Sequence, residues 1–210
     1  MVLMPQEFIL GVDEAGRGPL AGPVAVGVVA LPPGFDVLKE FPGVKDSKLL
    51  SAQKREKIFV EVERRASRGD LHFAVCVSSH RFIDEYGITH AVQTAVARGV
   101  RELAPPSRGV VLLDGLLRAP KNYTQRTVIH GDGLVPVIGL ASILAKVTRD
   151  RLMEHLARLY PEYGFDQHKG YGTEVHLRAL RRHGLCDIHR RTYCKVGVHK
   201  RLDRLVQRVV

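Results

Sequence analysis

Residues 8–23 read FILGVDEAGRGPLAGP, and the fold follows from this stretch. Its first residues, 8–12, are mostly large and apolar, which predicts a short buried strand. Asp13 and Glu14 come where that strand ends, and adjacent carboxylates there are costly unless solvent, a cation or hydrogen bonds compensate them. A Gly-Arg-Gly loop at 16–18 follows, whose backbone a ligand can approach closely. Acids that hold cations beside such a loop would suit a phosphodiester substrate. Taken alone, however, this stretch is explained equally well by a tight turn whose acids face solvent.

The composition is that of an ordinary soluble globular protein. The chain has 210 residues, 45% of them hydrophobic and 26% charged, which is enough for one substantial core and a small appendage. Its longest apolar runs have the length of strands, and its first residues, MVLMPQEF, lack the pattern of a signal peptide. We therefore expect a cytoplasmic protein without a membrane partner. The cysteines, Cys76, Cys186 and Cys194, have no CxxC spacing, which argues against a disulfide framework and a zinc site.

The positive charge is concentrated at the end of the chain. The net charge is +10, and the segment from Arg178 to Val210 carries ten Lys or Arg residues against two acids. Such an end favours a polyanionic partner, nucleic acid before an anionic membrane surface, although a merely solvated basic tail fits the same pattern. If the tail binds duplex nucleic acid, its contribution is electrostatic.

The apolar periodicity predicts strands first and then strands that alternate with helices. Strands are expected at 24–31, antiparallel to the first strand, and at 71–77, 109–113 and 126–130. Helices are expected at 51–68, 88–103, 137–159 and 173–184, and Ser51 and Thr173 are predicted to be N-caps. This order predicts an α/β fold with a mixed central β-sheet flanked by helices and a small C-terminal helical appendage. We divide the chain into a catalytic core at 1–160, a C-terminal helical part of the same domain at 161–193 and a basic tail at 194–210.

Three segments deliver acids at predicted strand ends: Asp13 with Glu14, Asp114, and Asp132. If the strands at 8–12 and 109–113 are neighbours, these carboxylates meet at one edge of the sheet and repel each other unless a cation neutralises them. Oxygen ligands suit Mg²⁺ or Mn²⁺, and two such ions could serve phosphodiester hydrolysis. Each acid taken alone could be a turn residue. Their shared placement favours the metal site.

These residues carry a resemblance to the bacterial ribonuclease HII family, the type 2 ribonucleases H. The similar segments follow the family's order and cover residues 9 to about 193. They are GVDEAGRGPLAGPV at 11–24, DSKLLS at 46–51, LLDG at 112–115, GD at 131–132, ASILAKVTRDRLM at 141–153 and YPEYGFDQHKGYGT at 160–173.

The resemblance implies a ribonuclease H-like fold and a two-metal-ion endonuclease that uses Mn²⁺ or Mg²⁺. The implied activity is hydrolysis of the RNA strand of RNA–DNA hybrids and cleavage 5′ of single ribonucleotides in duplex DNA, leaving a 3′-hydroxyl and a 5′-phosphate. Ribonucleotide removal and RNA primer removal by a monomer would follow. The residues that match the family's metal-binding catalytic acids are Asp13, Glu14, Asp114 and Asp132, and Tyr171 matches its tyrosine that recognises the ribonucleotide junction. The remaining substrate-binding candidates are Gly16, Arg17 and Gly18, whose backbone could contact a 2′-hydroxyl, and Ser47 and Lys48, which could contact phosphates.

The sequence departs from the family pattern in a few places. His130 stands where a lysine is common, Gly133-Leu134 replaces Ser-Lys, and the stretch 185–196 is altered. These changes leave open the alternative that the chain is a catalytically weakened nucleic-acid-binding protein of the same fold. A third alternative, a resolvase-like or transposase-like nuclease, accounts less well for the match around Tyr171. Lys146 and Arg149 are expected either to face the substrate groove or to be solvated. His168 is expected to form structural hydrogen bonds without a catalytic role.

Overall fold

A computed structural model describes residues 8–44 and 49–194. The strands are β1 (Phe8–Ala15), β2 (Val24–Leu31), β3 (His72–Ser78), β4 (Gly109–Asp114) and β5 (Thr124–Val128). The helices are α1 (Val37–Glu40), α2 (Ala52–Ala66), α3 (His80–Tyr86), α4 (Ile88–Leu103), α5 (Gly131–Leu134), α6 (Pro136–Leu159), α7 (Phe165–His168) and α8 (Glu174–His183). None of these helices has both the length and the apolar character that a membrane span requires.

The strands form one mixed sheet in the order β3-β2-β1-β4-β5. β1 runs antiparallel to β2, and it runs parallel to β4, which in turn is parallel to β5. The predicted α/β fold with a mixed sheet flanked by helices is therefore confirmed. Because β1 and β4 are parallel neighbours, their carboxyl ends lie at the same edge of the sheet.

The strand that carries the first two acids is longer than its apolar run predicts. Its pairing with β4 ends at Val12 opposite Leu113, but its pairing with β2 continues to Ala15 opposite Ala25. Asp13 and Glu14 therefore lie within β1, just beyond the last pair with β4. The antiparallel partner extends the strand because β2 supplies backbone hydrogen bonds where β4 no longer does.

The predicted strand at 126–130 is displaced: β5 covers Thr124–Val128. The chain leaves the sheet after Val128 and enters α5 through His130, which has a left-handed φ of 56°. Asp132 consequently lies in the first turn of α5, and the prediction that it ends a strand is wrong. The N-cap predictions are confirmed, because Ser51 accepts from the Lys54 N–H (3.2 Å) and Thr173 accepts from the His176 N–H (3.4 Å).

The chain forms two compact units. The first comprises the chain up to Ala15, Ala25–Val77 and Val92–Thr148, and the second comprises Gly16–Val24, Ser78–Ala91 and the chain from Arg149 onward. The boundaries expected from the sequence, after residues 160 and 193, divide the chain differently and stay predictions. The proposed basic tail at 194–210 lies outside the described residues apart from Cys194.

In the first unit, α6 approaches the sheet where two strand residues have no side chain. A β-carbon on Gly11 of β1 would lie 2.3 Å from the Val137 carbonyl oxygen, and one on Gly27 of β2 would lie 2.2 Å from the Ala141 carbonyl oxygen. Both glycines are therefore required for the observed separation of helix and sheet. The apolar core of this unit continues along α6 through Ile138, Leu140, Ile143 and Leu144, which are fully buried.

The second unit has its own apolar core. Met153, Tyr163, Phe165 and Leu177 are buried in it, and Tyr163 stacks on Phe165 with ring centroids 5.3 Å apart. Burial of these large side chains stabilises the short segments around α7 and α8.

Candidate active site

Two of the predicted catalytic acids lie side by side at the edge of the sheet. Val12 is the register partner of Leu113, so Asp13 and Asp114, the next residue on each strand, are adjacent. The sheet topology thus confirms that these two strands are neighbours. Asp13 is buried and Asp114 is partly exposed.

Asp13 has an environment that resists its ionisation. Burial raises its pKa well above the usual value, and the nearby charges of Glu14 and Asp114 raise it further. Two hydrogen bonds act in the opposite direction: the Asp13 Oδ1 accepts from the Glu14 N–H (2.7 Å), and the carboxylate accepts from the Ser142 hydroxyl on α6. The carboxylate is thus held in a fixed position, in a place where added positive charge would favour its ionised form.

Asp132 joins this edge of the sheet through the turn before α5. The N–H of Gly131 donates to the Asp114 Oδ1 (2.6 Å), and Asp132, the next residue, is only 2% exposed. The backbone around Gly131 is tightly packed, because a β-carbon there would meet Ile138 at 2.7 Å and Asp114 at 3.3 Å. The hydrogen bond to Asp114 comes from the main chain, so replacement of a family lysine by His130 does not remove it.

The four acids offer oxygen donors, which fit Mg²⁺ or Mn²⁺ better than zinc. Within residues 8–44 and 49–194, no three His, Cys, Asp or Glu side chains are already grouped as a bound metal would require. The acidic character of this edge of the sheet fits a divalent cation.

The predicted substrate-binding residues of the second unit also come together. Arg17 and Gly18 are exposed, and a β-carbon on Gly18 would lie 3.9 Å from the Tyr171 ring. Tyr171 itself is 44% exposed. The Gly16–Gly18 loop and Tyr171 therefore form one accessible surface, although they are more than 150 positions apart in the sequence. Ser47 and Lys48, the other predicted contacts, lie outside the described residues.

Arg149 does not face solvent or a groove, so both expectations for its side chain are wrong. It is 1% exposed, and its guanidinium donates to the carbonyl oxygens of Pro23 (2.9 Å), Ala21 (3.3 Å) and Lys169 (2.9 Å). A second arginine, Arg190, is fully buried in the same unit. Sequence reasoning missed Arg190, since it lies in the run His-Arg-Arg, where only tertiary packing distinguishes the buried arginine from its exposed neighbour.

Three buried histidines form a cluster near the Tyr171 backbone, and two of them are hydrogen-bonded to each other. The Cys186 N–H donates to the His189 Nδ1 (2.9 Å), so the proton of His189 is on Nε2 and is donated to the His176 Nε2 (3.0 Å). His176 then donates its Nδ1–H to the Tyr171 carbonyl oxygen (3.0 Å). His168 stacks on His176 and bonds to the Tyr163 carbonyl (2.8 Å), which confirms its structural role.

This histidine cluster predicts a loss of stability in acid. Burial lowers the pKa of His176 and of His189 to about 4, against about 6.5 for an unfolded histidine. The unfolded state therefore binds more protons between these values, so the stabilisation is complete above about pH 6.5 and is lost as the pH falls toward 4. We expect each histidine to contribute on the order of 3 kcal/mol to this loss, measured as the free energy of unfolding in urea between pH 7.5 and 4.5.

His189→Gln isolates the contribution of the cluster, because the glutamine amide can still donate to the His176 Nε2 but does not titrate. The slope of the unfolding free energy against pH should become shallower by close to one proton. His155→Gln, at an exposed position of α6, is the matched control for the substitution itself. A His189→Gln slope equal to that of the wild type would show that the cluster does not titrate on unfolding.

Comparison with known proteins agrees with this geometry. The family model of ribonuclease HII matches residues 10–196. The ribonuclease HII of Burkholderia thailandensis is 45% identical over 192 residues, which are 91% of this chain and 86% of the relative. Among solved structures, the ribonuclease H2 of Pyrococcus horikoshii aligns with a TM-score of 0.72 at 27% identity, over 94% of this chain and 98% of that one.

A further solved structure, the PCNA:RNase HII complex of Archaeoglobus fulgidus, aligns with a TM-score of 0.73 at 25% identity, over 90% of this chain and 95% of that chain. The mixed sheet and its adjacent strand-end acids thus define a nuclease of the ribonuclease H-like fold. Within that class, the chain belongs to the ribonuclease HII family, and the resemblance found in the sequence is confirmed. It is accordingly a hydrolase that acts on nucleic acid.

Proposed function

We propose that this protein hydrolyses the RNA strand of RNA–DNA hybrids and cuts 5′ of single ribonucleotides embedded in duplex DNA, leaving 3′-hydroxyl and 5′-phosphate ends. The observation that carries the proposal is the parallel pairing of β1 and β4, which sets Asp13 beside Asp114. Family membership supports the choice of nucleic acid as substrate. The protein is proposed to act as a monomer in the cytoplasm, in ribonucleotide removal and RNA primer removal.

Asp13, Glu14, Asp114 and Asp132 are the residues that would hold two Mn²⁺ or Mg²⁺ ions. When bound, such ions supply a nucleophilic water and stabilise both the attacking and the leaving oxygen of the phosphodiester. The chain's own part is to keep the ligands in place. Ser142 and the Glu14 N–H hold Asp13, and the Gly131 N–H holds Asp114. Such preorganisation lowers the cost of reaching the transition state.

Recognition of the ribonucleotide is assigned to the second unit. A 2′-hydroxyl both donates and accepts hydrogen bonds, so a protein that contacts it can tell RNA from DNA. The exposed backbone of Arg17 and Gly18 can approach a sugar closely, and the Tyr171 ring beside Gly18 offers a surface that a base or sugar can contact. Ser47, Lys48 and the basic end of the chain would bind phosphates without reading the sugar.

The proposed function predicts one cut at a defined bond. Purified protein with Mn²⁺ or Mg²⁺ should cleave a DNA duplex that contains one ribonucleotide on the 5′ side of that residue, and end-labelling should show a 3′-hydroxyl and a 5′-phosphate. The same duplex made only of DNA is the control and should stay intact, because it lacks the 2′-hydroxyl.

Each contrary outcome has a definite meaning. Folded protein that binds the ribonucleotide duplex but cuts it with neither metal would favour the catalytically weakened binding protein. Equal cleavage of both duplexes would favour a nuclease of the same fold that does not read the sugar. Either result would overturn the proposed function.

A further inference from the structure

Two arginines are buried in the second unit next to the Gly16–Gly18 loop. Arg149 is 1% exposed and Arg190 is 0% exposed. Burial of a guanidinium is costly, and it lowers the pKa of Arg190 to about 10. Both groups donate to main-chain carbonyls, so they fix the backbone around the loop, and Arg190 also hydrogen-bonds to the Tyr193 side chain.

Arg190 holds both ends of the loop region. Its Nη2 donates to the Gly16 carbonyl oxygen (2.6 Å) and its Nη1 to that of Arg17 (2.8 Å). Its Nε donates to the Gly22 carbonyl (3.0 Å), and Nη2 also donates to Pro23 (3.1 Å). One planar group thus fixes four carbonyls, a geometry that an arginine fork can satisfy and a lysine ammonium cannot.

These bonds determine which way the amides of the loop point. In a trans peptide the C=O and the next residue's N–H lie in one plane and point in opposite directions. Because the Gly16 and Arg17 carbonyls point at Arg190, the N–H groups of Arg17 and Gly18 point away from it. Arg17 and Gly18 are the exposed residues of the loop, whereas Gly16 is buried. The donors are therefore aimed at the side that a sugar can reach.

Arg149 holds the Tyr171 side of the same surface. It donates to the carbonyl of Lys169, which has a left-handed φ of 51°, and its guanidinium lies 5.7 Å from the centre of the Tyr171 ring. It also shares the Pro23 carbonyl with Arg190 (2.9 Å). A β-carbon on Gly16 would lie 2.1 Å from the Arg149 Nε, so only glycine leaves room for this arginine.

We propose that Arg190, supported by Arg149, is a positioning residue for ribonucleotide recognition: it turns the Arg17 and Gly18 amides outward so that they can donate to the 2′-hydroxyl oxygen. This proposal rests on the proposed function, because it explains how the protein comes to prefer a duplex that contains a ribonucleotide. Arg190 itself does not contact the substrate.

The test compares Arg190→Lys with Arg191→Lys, the same substitution at the exposed neighbouring position. Binding is measured in an Asp114→Asn background, so that the substrate survives, with a single-ribonucleotide duplex and the identical all-DNA duplex. Arg190→Lys should reduce the preference for the ribonucleotide duplex at least tenfold and change the affinity for all-DNA duplex by less than about twofold, because phosphate contacts do not depend on the loop amides. Arg191→Lys should retain the preference.

The positioning role is overturned if Arg190→Lys keeps the preference for the ribonucleotide duplex, or if it loses affinity for both duplexes equally. If the Asp114→Asn parent shows no preference and the wild type does not cleave, the proposed function itself fails, which is a separate result. Should Arg190→Lys not fold, the Asp114→Asn protein with Arg190 intact still decides the matter by NMR. The Arg17 and Gly18 amide resonances must shift with the ribonucleotide duplex and much less with all-DNA duplex, and equal shifts contradict the proposal.

Discussion

Asp114→Asn is expected to lower the rate of cleavage at a single ribonucleotide by at least about 1,000-fold, with binding of the same duplex almost unchanged. The substitution removes one negative charge from the proposed metal ligands, and with it the stabilisation of charge in the transition state. It keeps an oxygen that can accept from the Gly131 N–H, which now donates to the Asp114 Oδ1 at 2.6 Å, so the fold should survive. Single-turnover kinetics at saturating metal, together with a binding isotherm, measure both effects.

A matched control is available in the same unit. Asp70→Asn makes the identical change at an exposed acid outside the strand-end group, and it should leave the cleavage rate within about twofold of the wild type. Asp13→Asn should behave as Asp114→Asn does. A wild-type rate for Asp114→Asn would show that the acids at the β1–β4 edge are not the metal ligands.

Gly27→Ala is expected to destabilise the protein by about 3 kcal/mol or more, a large part of the total for a domain of this size. The added β-carbon would lie 2.2 Å from the Ala141 carbonyl oxygen and 3.1 Å from the Ala145 nitrogen, both of them backbone atoms of α6. A side chain could rotate away from such a clash, but a helix backbone must move as a whole. Urea unfolding followed by circular dichroism measures the change.

The same substitution should also impair the site in any molecules that remain folded. Gly27 is the register partner of Asp13, and Ser142 of α6 bonds to the Asp13 carboxylate, so a helix pushed away from Gly27 withdraws that hydroxyl. Val60→Ala, on the exposed face of α2, is the control and should change stability by less than about 0.5 kcal/mol. Unfolding of Gly27→Ala at wild-type urea concentrations would mean that α6 and the sheet separate easily.

Local chemistry was sufficient for much of this molecule. The apolar runs identified β1, β2 and β4, and the helical periodicity identified α2 and α4. The side chains of Ser51 and Thr173 cap the helices that they were expected to begin. These features are readable because they arise between residues that are close in the sequence. The acids at the predicted strand ends were also recognisable in the sequence, because a buried apolar strand followed directly by a carboxylate is unusual.

The sequence by itself therefore determined the class of fold and singled out the four acids and the Gly16–Gly18 loop as candidates, whereas the tertiary structure decided how these residues are held. The β1–β4 register that sets Asp13 beside Asp114 depends on backbone hydrogen bonds between distant segments. Arg149 reaches carbonyls 126 and 128 positions away, and Arg190 reaches one 174 positions away. Main-chain carbonyls are present at every residue, so a side chain that binds them leaves no matching residue type in the sequence. Only the folded chain distinguishes these buried arginines from the exposed ones around them.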